Sequence, residues 1–279
     1  MKKHNLYKIQ ILFILFQIIH YSGFSQFFDH PCKVIDTTNL YVVYNLIWKQ
    51  DTNDLQTVNS EEMILFIGRE KSKFMSYNQY RFNEAGRIAE REGKLSAFLN
   101  EETIKSFNAK LTYQIYKNFP QESYTYTKRI MPTNFVYEEP LSIYQWEFCE
   151  LTDTIGEFVA HCALTDYGGR KWVAWYTPEI PINEGPYKFK GLPGLIIKLH
   201  DELNHYVFEL NRIERPEGTH LIEYEDKDWI KTDRVTFLQA ESNFRHDIIN
   251  RVKDAGGNSQ TQQVAARSMM KRNNPIELE

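Results

Sequence analysis

The sequence predicts a β-rich α+β fold: a large curled antiparallel sheet or open barrel, with a helical insert near residues 82–111 and a C-terminal helix near 234–253. Three observations carry this. Segments rich in β-branched and aromatic residues recur with period-two alternation along most of the chain. The apolar spacing becomes helical only in those two stretches. Aromatic residues make up 14% of the chain, bulk that suits the inside of a curled sheet.

Residues 40–49 (LYVVYNLIWK), 63–68 and 74–77 read as strands, with Gly68, Arg69 and Glu70 as a hairpin turn. From Phe82 the pattern changes: Ala85, Ile88, Ala89, Leu95, Phe98, Leu99, Ile104, Phe107 and Leu111 recur at helical spacings, broken at Gly86, Gly93 and Asn100. One or two helices packed on a sheet follow from this. Period-two segments resume at 112–118, 123–130, 143–151, 158–166 and 171–177, spaced as an antiparallel meander. Residues 195–200 and 206–214 form a further hairpin. The first of these is apolar on both parities (Leu195, Ile197 and Leu199 against Ile196), as is 172–177, so both strands are expected to be covered on both faces and to lie close together. Val235, Leu238, Phe244, Ile248, Ile249 and Val252 give the last helix its apolar face. The polar tail from about 256 is expected to be loose. No repeat or linker divides residues 26–279, which read as a single domain.

The first 25 residues read differently. Lys2, Lys3 and Lys8 flank an apolar run from Ile9 to Ile19, too short to span a bilayer and followed by the small residues Gly23 and Ser25. This is the pattern of a cleavable secretory signal, and the expectation is export of a chain with no membrane span. Its destination is then the periplasm, the outer-membrane surface or the medium. The net charge of −4, with both signs interspersed, shows no basic face for nucleic acid.

Cysteine usage leaves several states open. Cys32, Cys149 and Cys162 permit one intramolecular bridge at most. Cys149 and Cys162 flank a hairpin centred on Ile155 and Gly156. Yet matching the apolar faces of its strands (Trp146 and Phe148; Phe158, Ala160, Cys162 and Leu164) turns Cys149 away from Cys162. A bridge between those two, a bridge from Cys32 to Cys162, and a buried free thiol all remain.

The stretch GPYKFKGLPGLIIKLHD, residues 185–201, is dense in chain breakers. Leu192, Pro193, Gly194 and Leu195 suit a type II turn, because proline fixes a negative φ and glycine accepts the positive φ that follows. Gly191 allows close backbone approach beside it, and Ile196 continues into the strand. The corner is therefore expected to be structural. Around it, Arg170, Trp172, Trp175, Glu179, Glu184, Lys188 and Lys190 are candidates for a binding rim, with both lysines expected to behave as surface charges.

At these residues a resemblance becomes specific. Residues 170–196, with Cys162 upstream and NNPIELE at the C-terminus, resemble the GLPGLI family of exported proteins of Gram-negative bacteria. The hexapeptide stands unaltered at 191–196, and the similarity is strong from about 140 onward and weak before it. The resemblance implies an exported β-rich protein and supplies no activity.

Catalytic constellations are weak. There is no G-x-S-x-G, S-x-x-K or H-E-x-x-H. His161 and Cys162 are adjacent, so on a strand they face opposite ways and cannot share a hydrogen bond. His200 and His205, set opposite each other by a turn at 201–204 with Asp201 at its tip, form a weak candidate for zinc or copper. No cofactor is implied and no catalytic residue is assigned. The leading expectation is a non-enzymatic binding or accessory protein of the cell envelope, acting on a small molecule or an envelope protein. A curled sheet could enclose an apolar cavity for such a ligand. The alternative is an extracytoplasmic hydrolase or metal-dependent enzyme using His200, His205 or Cys162.

Overall fold

The structure, a computed structural model, describes residues 28, 31–107, 109–248, 250, 254 and 259–279. The expected signal, residues 1–25, lies outside them. In chain order the strands are β1 (Cys32–Thr37), β2 (Leu40–Lys49), β3 (Val58–Ile67), β4 (Ser72–Ser76), β5 (Gln114–Lys117), β6 (Ser123–Ile130) and β7 (Thr133–Pro140). They continue as β8 (Glu147–Ile155), β9 (Phe158–Tyr167), β10 (Arg170–Thr177), β11 (Leu195–Asp201), β12 (Tyr206–Glu214), β13 (Leu221–Glu225) and β14 (Trp229–Lys231). The helices are α1 (Tyr77–Arg91), α2 (Leu95–Phe98), α3 (Glu101–Phe107), α4 (Arg234–His246) and α5 (Ser259–Met270).

Twelve strands form one sheet in the order β14-β7-β6-β5-β4-β3-β2-β12-β11-β10-β9-β8. Every pairing is antiparallel except β14 on β7, which is parallel, so the sheet is mixed rather than wholly antiparallel. It does not close: β14 and β8 are its edges. It curls enough that the Tyr167 hydroxyl on β9 reaches Glu139 on β7, at 3.2 Å, from the other end of the strand order. β10 and β11 pair as expected, Trp172 opposite Asp201 and Ala174 opposite Leu199.

The two-faced apolar pattern of β2 has a direct cause. Val42, Tyr44, Leu46 and Trp48 point inside the curl, where they join the main core. Val43 points outward and packs with Ile64, Phe66, Met75 and Ile222 under a separate two-stranded sheet of β1 and β13. A second layer therefore covers the outer face. The helical insert is tied down by one carboxylate. Glu61 on β3 accepts a short hydrogen bond from Ser76, whose own oxygen caps α1 by accepting from the Gln79 amide at 3.0 Å. Glu61 also accepts from the amides of Lys110 and Leu111 at 3.0 and 3.2 Å, where the insert ends. One buried residue thus fixes both its entry and its exit.

Two expectations fail here. The segment after 256 is not loose throughout: α5 occupies Ser259–Met270, and Asn274 and Glu277 are buried. The parity argument against Cys149 facing Cys162 also fails. In the β8–β9 register Phe148 opposes Ala163 and Thr152 opposes His161, so three residues on β8 span the place of Cys162 alone. The two extra residues leave parity unchanged; the assumption that fails is the matching of apolar faces, because Phe148 pairs with Ala163 and this register sets Cys149 against Cys162, the two sulfurs 2.6 Å apart. Cys32, on β1, instead lies beside the Arg87 guanidinium at 3.9 Å.

That geometry predicts the pairing. Refolding in an oxidising glutathione buffer, with the glutathione disulfide as electron acceptor, should yield a Cys149–Cys162 cross-link in peptide mapping. Closing a loop of that length contributes about 3 kcal/mol in the chain-entropy account. Recovery of a Cys32–Cys162 peptide instead would contradict the register described.

Candidate functional site

The connection between β10 and β11 runs inward. Tyr187, Lys188, Phe189 and Leu192 are buried inside the curl, and Phe189 packs on Trp172 and Tyr144 with ring centroids 4.9 Å away in each case. The corner is held by Lys117 of β5, fully buried, whose ammonium donates to the carbonyls of Gly185 at 2.7 Å and Phe189 at 3.0 Å and pairs with Glu184 at 3.1 Å. Burial pulls the Lys117 ammonium down to about 8, with Glu184 working against that fall. Burial raises the Glu184 carboxyl, but Lys117 and Lys190 outweigh it and hold the group below its ordinary value. Ser72 donates to the same carboxylate at 3.0 Å.

The expected type II turn is replaced by a tighter one. The Gly194 amide bonds to the Leu192 carbonyl at 2.8 Å, and the Leu195 amide is taken by Ile180, at 3.0 Å, rather than by Leu192. Glycine is still required, for a steric reason: at φ 155° a Cβ on Gly194 would lie 2.2 Å from the Thr177 carbonyl oxygen.

Lys188 occupies the centre of the curl. Its ammonium pairs with Glu139 at 2.6 Å and Glu277 at 2.7 Å, and donates to the hydroxyls of Tyr137 at 3.0 Å and Tyr167 at 2.6 Å. It also lies 4.9–5.7 Å from the ring centres of Tyr126, Tyr137, Tyr167 and Tyr187. Arg234, at the start of α4, reaches Glu139 at 3.0 Å and Glu277 at 3.4 Å, so two cations and two carboxylates balance. Burial raises the Glu277 carboxyl, yet Lys188 and the Tyr187 hydroxyl more than offset this and hold it low.

Glu277 comes from the C-terminal segment, which Arg170 also holds. The Arg170 guanidinium donates to the Ile276 carbonyl at 2.9 Å, to the Pro275 carbonyl and Asn274 Oδ1 at 2.6 Å each, and pairs with Asp201 at 3.0 Å. Asn274 further donates through its side chain to the Lys49 carbonyl at 2.7 Å.

The expected binding rim is therefore mostly interior. Arg170, Trp172, Glu184 and Lys188 are buried, Trp175 and Lys190 are half-buried, and only Glu179 of this group is exposed. The charges face each other because the corner folds into the curl instead of lying on it. The candidate metal group is also not assembled. His200 opposes Val207, not His205, and Asp201 is engaged by Arg170 and by the Tyr206 amide at 2.7 Å. Among the described residues no three His, Cys, Asp or Glu side chains converge as a metal site. Burial first, and then Cys149, push the Cys162 thiol up to about 12, the reverse of what activates a nucleophile.

Of the residues around the site the fold does assemble, the sequence marks Leu111, Leu238 and Phe244 only as apolar helix positions and gives none of them a binding role. A cavity of about 470 Å³ lies between the inner face of the curled sheet and the layer of α4, α5 and the C-terminal segment. Leu46 and Trp48 of β2, Tyr113, and Tyr126 and Ile130 of β6 form its floor. Phe237, Leu238 and Phe244 of α4, with Met269 of α5, form its roof. Pro275, Ile276 and Glu277 close one side. Its size and its aromatic walls, broken by a few polar groups, are those of small-molecule sites. The only trace in the sequence is the surplus of aromatic residues on inward parities.

Residues 146–198, from Trp146 to Lys198 and including the whole corner, match a family model described as a protein of unknown function (Porph_ging). No curated protein matches the chain. Among solved structures the chain is similar to PNGF-II in a P21 crystal form, with a TM-score of 0.50 and 12% identity over 75% of this chain and 34% of that one. A C2 form of PNGF-II aligns with a TM-score of 0.47 and 12% identity, covering 75% of this chain and 33% of that one. The chain thus spans about a third of the length of these structures, and at such identity the likeness concerns the fold alone.

The packing of the corner predicts an order of stabilities. Gly194→Ala should lower the urea midpoint by the equivalent of more than about 1 kcal/mol, because the added carbon overlaps backbone that cannot move away. Lys190→Ala should cost less, since Glu184 keeps Lys117 as its partner. Equal midpoints for the Gly194 variant and the parent protein would contradict the close approach to Thr177.

Proposed function

We propose that the chain is an exported, non-enzymatic binding protein of the cell envelope that holds a small apolar or amphipathic molecule in the cavity beneath α4 and α5. The observation that carries this reading is the cavity itself: about 470 Å³, walled by Trp48, Tyr113, Tyr126, Tyr206 and Phe237. Aromatic walls of this kind contribute affinity through apolar burial and leave orientation to a few polar groups. The surrounding framework is stiff. Lys188 and Glu277 hold the tail side, and Lys117 holds the corner behind it. A site that is already formed does not have to spend ligand affinity on ordering itself.

The location rests on the N-terminal pattern of lysines, apolar run and small residues, and on the hexapeptide at 191–196, which supports kinship with the GLPGLI family of exported proteins. Within this reading the hexapeptide is a structural corner that shapes the wall of the curl, and contact with ligand belongs to the other face of the core.

One experiment addresses both parts. The protein recovered from the envelope or medium fraction should start at or near Gln26 by mass spectrometry. In that form it should bind the neutral fluorescent probe 1-aminoanthracene and quench the fluorescence of Trp48. Leu238→Trp, which fills the cavity from its roof, should weaken probe binding at least about tenfold, the equivalent of 1.4 kcal/mol. A probe that binds the parent and the filled variant equally does not sit in the cavity, and that result would refute the proposal.

A further inference from the structure

The polar groups lining the cavity are unequal in kind. Its two carboxylates are already engaged: Glu277 by Lys188 and Arg234, and Glu241 by a short ion pair to Lys128 and a longer one to Arg245 at 3.8 Å. Its cations are not all engaged. Lys110, Arg129 and Arg272 line the same cavity, are exposed, and form no ion pair among the described residues. Lys110 sits over the Trp48 ring at 5.6 Å and touches Asn59 Oδ1 at 3.3 Å, which fixes it at the Trp48 end of the cavity.

Deeper in, two buried polar atoms that line the cavity lack a partner. The Tyr113 hydroxyl and the Asn59 side-chain amide nitrogen each make no hydrogen bond. Tyr113 is almost wholly buried, with its ring stacked on Tyr126 and edge-on to Tyr187, so it cannot turn out to solvent. Leaving such a group unpaired costs about 1–3 kcal/mol, a cost that a ligand acceptor removes on binding. Both atoms can donate. Donors that lack acceptors, together with cations that lack anions, call for a ligand rich in negative oxygen at one end. The aromatic walls call for an apolar body at the other.

Resting on the cavity reading above, we propose that the ligand is an acidic amphiphile: an apolar chain or ring body lying against Trp48, Tyr126 and Phe237, with a carboxylate or similar anionic head received by Lys110, Arg272 and the free donors of Asn59 and Tyr113. Arg129 adds to the positive field at the mouth and steers the anion inward. Neutral apolar molecules also fit the walls, but they leave the donors unsatisfied and bind less tightly.

Displacement of 1-aminoanthracene from the full-length mature protein by decanoate and by decanol, which share an apolar chain and differ in the head, tests this. At neutral pH and low salt, decanoate should displace the probe at roughly one tenth the concentration of decanol, as one charge-assisted contact implies. The preference should shrink as salt is added. Lys110→Ala with Arg272→Ala should abolish the preference, weakening decanoate far more than decanol, and Tyr113→Phe, which keeps the ring, should reduce it in part. Equal displacement by both molecules, or a preference that survives the double variant, overturns the acidic-head assignment and leaves the cavity reading standing. Failure of the probe and both competitors to bind overturns the cavity reading itself, and this proposal with it.

Discussion

A lysine ammonium sealed inside a curled sheet is the constraint on which the rest of this structure depends. Lys188 is fully buried, and a buried cation is tolerable only when its charge and its protons are matched. The fold meets that demand from several distant segments. Glu139 comes from β7, Tyr167 from β9, and Glu277 from the C-terminal segment. Each of these is fixed in place because the ammonium needs it. The sheet cannot flatten without separating β7 from β9, and the C-terminal segment cannot leave without stranding a positive charge.

The same logic shapes the cavity. Glu277 is at once the partner of Lys188 and part of the cavity wall, so the ion pair that anchors the tail also sets one side of the space above β2 and β6. Arg234 couples the arrangement to α4, whose Phe237 and Leu238 form the roof. Stability and site geometry are joined here through a few side chains. The cations that remain outside this balance, Lys110, Arg129 and Arg272, are those that the proposed ligand would meet.

Much of the architecture was legible in the sequence where the physics is local. Strands β2, β6 and β12 have the bounds that alternation predicts, because one face of each is in the core and turn residues bracket it. The interior of β11 follows from apolar residues on both parities. What was not legible depends on contacts far apart in sequence. β7 reads as polar because Glu138, Glu139 and Pro140 end it, and the inward Glu139 makes sense only once Lys188 is known to face it. The corner lysines looked like surface charges since nothing local says that the chain turns inward at Tyr187. Glu277 lies 90 positions from the tyrosine that shares its carboxylate, so a short polar tail looked loose. Phe148 reads as a core residue in the sequence but is exposed and pairs with Ala163, so the face of β8 that meets Cys162 carries Cys149 instead. The cavity was foreseeable only as an excess of aromatic side chains.

The central claim is that Lys188 and Glu277 act as one unit, and a double-mutant cycle measures this directly. Lys188→Met and Glu277→Leu should each cost about 3–5 kcal/mol in urea unfolding, because each upsets the balance of two buried cations and two carboxylates by one charge. Combined, they should cost less than their sum by about 1–3 kcal/mol, since the second substitution removes the charge that the first one stranded. Strictly additive losses would mean that the two residues do not sense each other, and the C-terminal segment would then be held by something other than the ion at the centre of the curl.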